Sequence, residues 1–259
     1  MNAFIRPRPV NAPALRLIGF HHAGGSAGSY HRMGRHLPDD WDLLLYDLPG
    51  RGRRHAEPPA GDWATVLRRV LADLADLDPS DEVPTAFFGH SFGAVVALET
   101  ARALAEAGRP PVWVGVSGHL PPSVRPPYRL TELDDPELLN TLVTMGGVPR
   151  PLAEMPEVAL RLLRLTRADL HAAESYAPAP DRHALPCPLT VFGGSSDPWA
   201  PRPQMGGWAR ETRAACRWRY FPGGHFYLLG PALPKITVEV VSEIRRAAPR
   251  AVWGDPACA

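Results

Sequence analysis

Residues 85–108 read TAFFGHSFGAVVALETARALAEAG. The apolar run TAFF predicts a buried strand, and the Ala- and Leu-rich stretch from Phe92 predicts a helix. Between them lies Gly89-His90-Ser91-Phe92-Gly93, a G-x-S-x-G. A strand that turns sharply into a helix lifts the central Ser hydroxyl above the sheet, and the flanking glycines let the turn pack closely. The helix N-terminus behind the Ser favours developing negative charge. This stretch therefore predicts a parallel α/β sheet with a nucleophile on one edge.

Working outward, short apolar runs at 15–20, 41–46, 112–116, 189–192 and 217–221 alternate with helical patterns at 63–77, 204–213 and 233–248. Such alternation predicts a doubly wound, mostly parallel sheet with right-handed crossovers. One segment breaks the rhythm. From about Tyr128 to Tyr176 there is no strand pattern, only helical patterns at 136–145 and 156–176, joined by MGGVPRPLAEMP, whose glycines and prolines read as a mobile joint. A helical insertion there is either a lid over the strand ends, where such sheets bind ligands, or additional packing, and the lid is favoured. The division expected is a core of residues 1–127 and 178–259 interrupted by a lid at 128–177.

The pentapeptide alone does not name the nucleophile, because Gly24-Gly25-Ser26-Ala27-Gly28 also fits G-x-S-x-G. Partners decide. Asp197 follows the strand at 189–192 and His225 follows the strand at 217–221, so Ser91, Asp197 and His225 all emerge at one sheet edge in the order Ser, Asp, His. His225 would take the Ser91 proton, and Asp197 would hold the imidazole. The motif around Ser26 belongs to FHHAGGSAG, at the loop where esterases carry an HGGG-type element. The oxyanion hole is thus assigned to the backbone N–H groups of Ala23 and Phe92, with Ser26 as nucleophile the less favoured alternative.

The balance of the chain is bland. It has 259 residues, 45% hydrophobic, with 28 basic and 27 acidic side chains and a net charge of +1. That balance excludes bulk attraction to nucleic acid or a membrane surface. Cys187, Cys216 and Cys258 show no C-x-x-C spacing, which argues for a reducing cytoplasm without a disulfide framework. Pro7, Pro9 and Pro13 break any early apolar run, so a short unordered N-terminal tail and no export are expected. Ten histidines carry no metal-binding spacing, and no metal or cofactor is expected. Asp47 reads as a turn residue without a partner. Arg51, Arg53 and Arg54 form either a solvated cluster or a dock for an acidic partner. Trp199 and the Leu and Met residues of the insertion either line an acyl tunnel or fill a core. No exposed apolar stripe is evident outside the insertion, so a monomer is expected.

Together these pieces resemble the type II thioesterases, stand-alone α/β-hydrolases that accompany polyketide synthases and nonribosomal peptide synthetases. The resemblance rests on FHHAGGSAGSY, DLPGRGRR, GHSFGA, LTRADLHAAESY, PLTVFGGSSD and FPGGHFYL, in the family's order. It departs from the usual pattern at Phe92, where Met is frequent, and at His119, where Arg is common. The resemblance implies an α/β-hydrolase fold and hydrolysis of acyl thioesters on the phosphopantetheine arm of an acyl or peptidyl carrier protein. It maps the triad onto Ser91, Asp197 and His225 and the oxyanion donors onto Ala23 and Phe92. A carboxylesterase or lipase, or an acyltransferase or cyclising thioesterase, are the rivals on the same fold. An intact triad argues against a non-catalytic binding module.

Overall fold

The computed structural model describes residues 3–77, 83–127 and 129–248. In chain order its strands and helices are β1 (Phe4–Ile5), β2 (Leu15–Phe20), β3 (Trp41–Tyr46), α1 (Trp63–Ala75), β4 (Thr85–His90), α2 (Phe92–Glu106), β5 (Trp113–Ser117), α3 (Asp135–Met145), α4 (Arg150–Ala153), α5 (Pro156–Ser175), β6 (Leu189–Gly194), β7 (Cys216–Phe221) and α6 (Leu233–Ala247). The seven strands form one sheet in the order β1-β3-β2-β4-β5-β6-β7. Only the β1–β3 pair is antiparallel. This is the doubly wound α/β-hydrolase architecture expected from the alternation of strand and helix.

Side chains alternate between two cores, as the pleat of a covered parallel sheet requires. Ile18, Phe20, Leu44, Phe87, Val114 and Val191 face the layer holding Val66 and Val70 of α1 and Val96 and Ala97 of α2. Leu15, Leu17, Leu43, Phe88, Trp113 and Phe192 face Ile236, Val240 and Ile244 of α6 and Tyr30 and Met33. A third, smaller core of Leu138, Leu142, Val148, Leu163 and Leu170 holds the helices between β5 and β6 together.

Those helices have conventional boundaries. Asp134 accepts from Glu137 N–H and Glu137 reciprocates on the Asp134 N–H, a capping box that starts α3. Proline opens α5, where its missing N–H costs nothing. The joint at 145–156 contains one element beyond expectation, the single turn α4. The predicted boundary at Tyr128 lies outside the described residues, as does Cys258. The C-terminal half of α5 is tied down: Trp63 N–H donates to Ser175 Oγ (3.0 Å), and the Trp63 and Tyr176 rings meet at 4.9 Å. Its other end is bare, with Leu160 64% and Met155 51% exposed.

Two local expectations are corrected. The N-terminal tail is not wholly unordered. Phe4 and Ile5 pair with Tyr46 and Leu45, and Asp47 N–H donates to Ala3 O at 2.9 Å. The prolines at 7, 9 and 13 rule out a long strand but leave room for two residues ahead of them, anchored by the buried Phe4 ring against Tyr46. The segment expected as an α-helix at 204–213 is a 3-10 helix at Arg202–Glu211. Gly206 and Gly207 in its middle, with two prolines at its start, weaken the α-helical alternative. Among the described residues no helix is long and apolar enough to cross a membrane.

Candidate active site

The turn from β4 into α2 is forced. Ser91 adopts φ 54° and ψ −121°, and it is the only non-glycine described residue with positive φ. Such a conformation is costly and persists only where surrounding packing over-determines it. Here the packing is explicit. A Cβ on Gly89 would collide with the Gly93 carbonyl, and one on Gly93 would collide with the carbonyl oxygens of Phe20 and His21. Ser91 N–H donates to Ser117 O at 2.7 Å, tying the turn to the end of β5.

The three side chains named from sequence order meet. Ser91 Oγ lies 3.1 Å from His225 Nε2, and His225 Nδ1 lies 2.9 Å from Asp197 Oδ2. Asp197 Oδ1 accepts from Trp199 N–H at 2.9 Å, which aims the carboxylate. His225 and Asp197 are buried. In this arrangement the imidazole can accept the Ser proton at Nε2 while its Nδ1–H is fixed on a carboxylate.

Other imidazoles surround the triad. His90 packs 5.0 Å from His225, ring to ring, and is hydrogen-bonded through Nδ1 to Ser117 Oγ, which in turn meets the Tyr227 hydroxyl at 2.7 Å. Burial, reinforced by its neighbouring imidazoles, pushes the His90 pKa well below its usual value. Desolvation likewise lowers His21 and His22 to about 3 and His119 to about 4. These four rings are neutral at ordinary pH and add no standing positive charge to the pocket.

The loop after β2 carries Ala23. Its course is set by a turn in which Gly25 N–H donates to His22 O (2.9 Å), and by His22 Nδ1, hydrogen-bonded to the Tyr30 hydroxyl at 2.9 Å. His21 Nδ1–H donates to His22 O at 2.8 Å, which fixes its tautomer. Phe92 opens α2, so its N–H is among the first four of the helix, which have no intrahelical acceptor. Ser26 is placed differently. Its backbone is extended (φ −151°, ψ 170°), and its side chain makes no capping hydrogen bond.

Three residues around this loop differ from expectation. Asp47 is not partnerless: it is buried, and its Oδ1 accepts from Ala27 N–H at 2.7 Å. Arg51 and Arg54 are not solvated. Arg51 forks onto Asp169 with both contacts at 2.7 Å, and Arg54 reaches Asp73 (2.6 Å) and Glu57 (2.8 Å). Only Arg53 of the cluster remains exposed. Asp169 was not singled out from sequence. Its signal is a carboxylate on the buried stripe of α5 with Leu163, Thr166 and Leu170, a place where an unpaired charge would be expensive. Of the insertion's apolar residues, Leu138, Leu142, Leu163 and Leu170 fill a core, while Leu152, Met155 and Leu160 are exposed.

Comparison with known proteins identifies the family. Residues 15–247 match the family described as thioesterase domain. The chain is 36% identical over 248 residues to a probable cadicidin biosynthesis thioesterase of Streptomyces griseus, covering 95% of this chain and 67% of that protein. Among solved structures it is similar to the type II thioesterase BorB from the borrelidin biosynthetic cluster, with 33% identity, a TM-score of 0.81, and 92% and 97% of the two chains covered. It is also similar to the RedJ thioesterase of the prodiginine pathway in Streptomyces coelicolor, with 31% identity, a TM-score of 0.82, and 92% and 91% covered. With a family match across nearly the whole sheet and solved relatives aligned over more than nine-tenths of both chains, the chain belongs to the thioesterase family and is a hydrolase of the α/β-hydrolase fold.

Proposed function

We propose that this thioesterase hydrolyses acyl groups held as thioesters on the phosphopantetheine arm of an acyl or peptidyl carrier protein, clearing stalled or wrong groups during polyketide or nonribosomal peptide assembly. The observation that carries the proposal is the contact chain from Ser91 through His225 to Asp197, at 3.1 and 2.9 Å. The biosynthetic setting of the relatives supports the substrate class.

In the first half-reaction Ser91 Oγ adds to the thioester carbonyl carbon as its proton passes to His225 Nε2. The carbonyl π pair becomes an oxyanion, received by the N–H groups of Ala23 and Phe92. Collapse expels the pantetheine thiolate, which takes the proton from His225. Water then attacks the acyl-Ser91 carbonyl with His225 as base, and the free acid leaves as Ser91 regains its proton. Asp197 keeps the imidazole in the required tautomer throughout. Residues 128–177 serve as a lid over this site between the core segments 1–127 and 178–259, and the enzyme acts as a cytoplasmic monomer. Arg53, the exposed member of its cluster, is available to an acidic carrier.

The test is intact-protein mass spectrometry of an acyl-loaded carrier protein incubated with wild type or Ser91→Ala, beside a short-chain nitrophenyl ester. Deacylation by wild type alone, faster than ester cleavage, is expected. An untouched carrier with rapid ester cleavage would place the enzyme among the esterases.

A further inference from the structure

We infer that Asp169 and Arg51 are positioning residues for the oxyanion loop, and that helix α5 therefore holds one wall of the reacting centre in register. The inference rests on the function proposed above, because it takes the Ala23 N–H as an oxyanion donor.

Asp169 lies on α5, 145 positions from Gly24, yet its Oδ2 accepts from Gly24 N–H at 2.7 Å. The same carboxylate grips Arg51 through both oxygens, and Arg51 Nη1 also donates to Gly25 O at 3.0 Å. Two peptide units after Ala23 are thus held, the Ala23–Gly24 unit at its N–H by the acid and the Gly25–Ser26 unit at its C=O by the base. Asp47 holds the far end of the loop through Ala27 N–H. Gly24 has φ +73°, and a Cβ there would run into Thr166 of α5, so helix and loop are in direct contact as well as hydrogen-bonded.

Stability alone does not account for such a pair. Both side chains are nearly fully buried, 3% and 1% exposed, and a buried ion pair is often no more stabilising than apolar residues of the same volume. What a bidentate Arg–carboxylate pair does supply is fixed geometry. Fixed geometry is what an oxyanion donor needs, since donors already aimed at the developing charge require no reorganisation when it forms. Loosening the pair would leave the amide of Ala23 free to wander from its position.

The experiment uses the full chain with Asp169→Asn and Arg51→Lys, an octanoyl N-acetylcysteamine thioester as substrate, and the matching alkyl trifluoromethyl ketone as probe. The ketone adds Ser91 Oγ at its carbonyl carbon and places an oxyanion in the hole, whereas octanoate does not. Both variants are expected to lose kcat by about 10- to 100-fold, the scale of a misplaced group. KM and octanoate affinity should stay unchanged, while ketone affinity should fall in proportion to kcat. Arg51→Lys retains the charge and decides the question should Asp169→Asn fail to fold. Wild-type ketone affinity in a folded variant, or a loss confined to KM, overturns the inference. Failure of the wild type to deacylate a loaded carrier protein while it binds the ketone would count against the proposed substrate and leave the ketone comparison decisive for the loop.

Discussion

Two pentapeptides of the same pattern, at 24–28 and 89–93, end in different conformations. Both follow a central strand, and both place a Ser between glycines. Ser91 is bent to φ 54° and faces His225 at 3.1 Å, whereas Ser26 is extended and its side chain caps nothing. The difference comes from what each pair of glycines meets. Gly89 and Gly93 are pressed against backbone, so the turn cannot relax, while Gly24 meets the side chain of Thr166 and Gly28 meets only Ser26 Oγ, at an ordinary 3.4 Å. The first packing aims a side chain; the second aims none, which is in keeping with the backbone role proposed for that loop. A five-letter pattern thus encodes close approach, and its neighbours determine which atoms benefit.

The contrast can be broken most directly at Ser91. Ser91→Ala should lower deacylation by about 10⁴- to 10⁶-fold, with His225→Ala close behind, both read by carrier-protein mass spectrometry. If Ser26→Ala were the inactive variant instead, the two roles would be exchanged. Asp197→Asn should cost about 10⁴ in kcat through the wrong imidazole tautomer. Gly24→Ala sharpens the other side. With positive φ and Thr166 in the way, it should destabilise the fold by about 1–3 kcal/mol in denaturant titration and slow turnover with little change in KM.

A smaller effect is expected from the buried rings. Unfolded, His21 and His22 take up protons near 6.5; folded, they do so only near 3. Between those values the unfolded chain binds more protons, so stability is present above pH 6.5 and drains away as pH falls toward 3. His22→Gln should flatten the dependence of unfolding free energy on pH in that window, measured by urea titration. The smallest effect is at Ser26→Ala, where activity should stay within about threefold, the usual range for a side chain without partners.

What could be seen in the sequence follows from the range of the forces involved. Strands such as 15–20 and 41–46 carry their own apolar signal, and their bounds agree with the structure. Asp197 and His225 could be named because a parallel sheet delivers successive strand ends to one edge, so order along the chain becomes proximity. Arg51 and Asp169, 118 positions apart, obey no such rule. Their pairing depends on how α5 settles over the loops, and an arginine in a Gly-rich stretch looks the same in either environment. Asp47 was misread for the same reason, since its acceptor role depends on Ala27, twenty residues away on another loop. The strand at Phe4–Ile5 was missed because two residues are too few to show a period.

Helix α5 is bolted to the body of the enzyme at one end and packs on α3 and α4 at the other. Asp169, Ser175 and Tyr176 grip the body of the enzyme, while Met155 and Leu160 stand in solvent. Together with α3 and α4 it forms a cantilever. At 1.5 Å per residue the outer end lies roughly 20 Å from the Asp169 anchor, so a tilt of the three helices by about 5° there swings the tip by roughly 2 Å while the loop at the root hardly shifts. With the lid and the oxyanion loop in the roles proposed above, access for a bulky substrate and steadiness at the reacting carbonyl would belong to opposite ends of one lever.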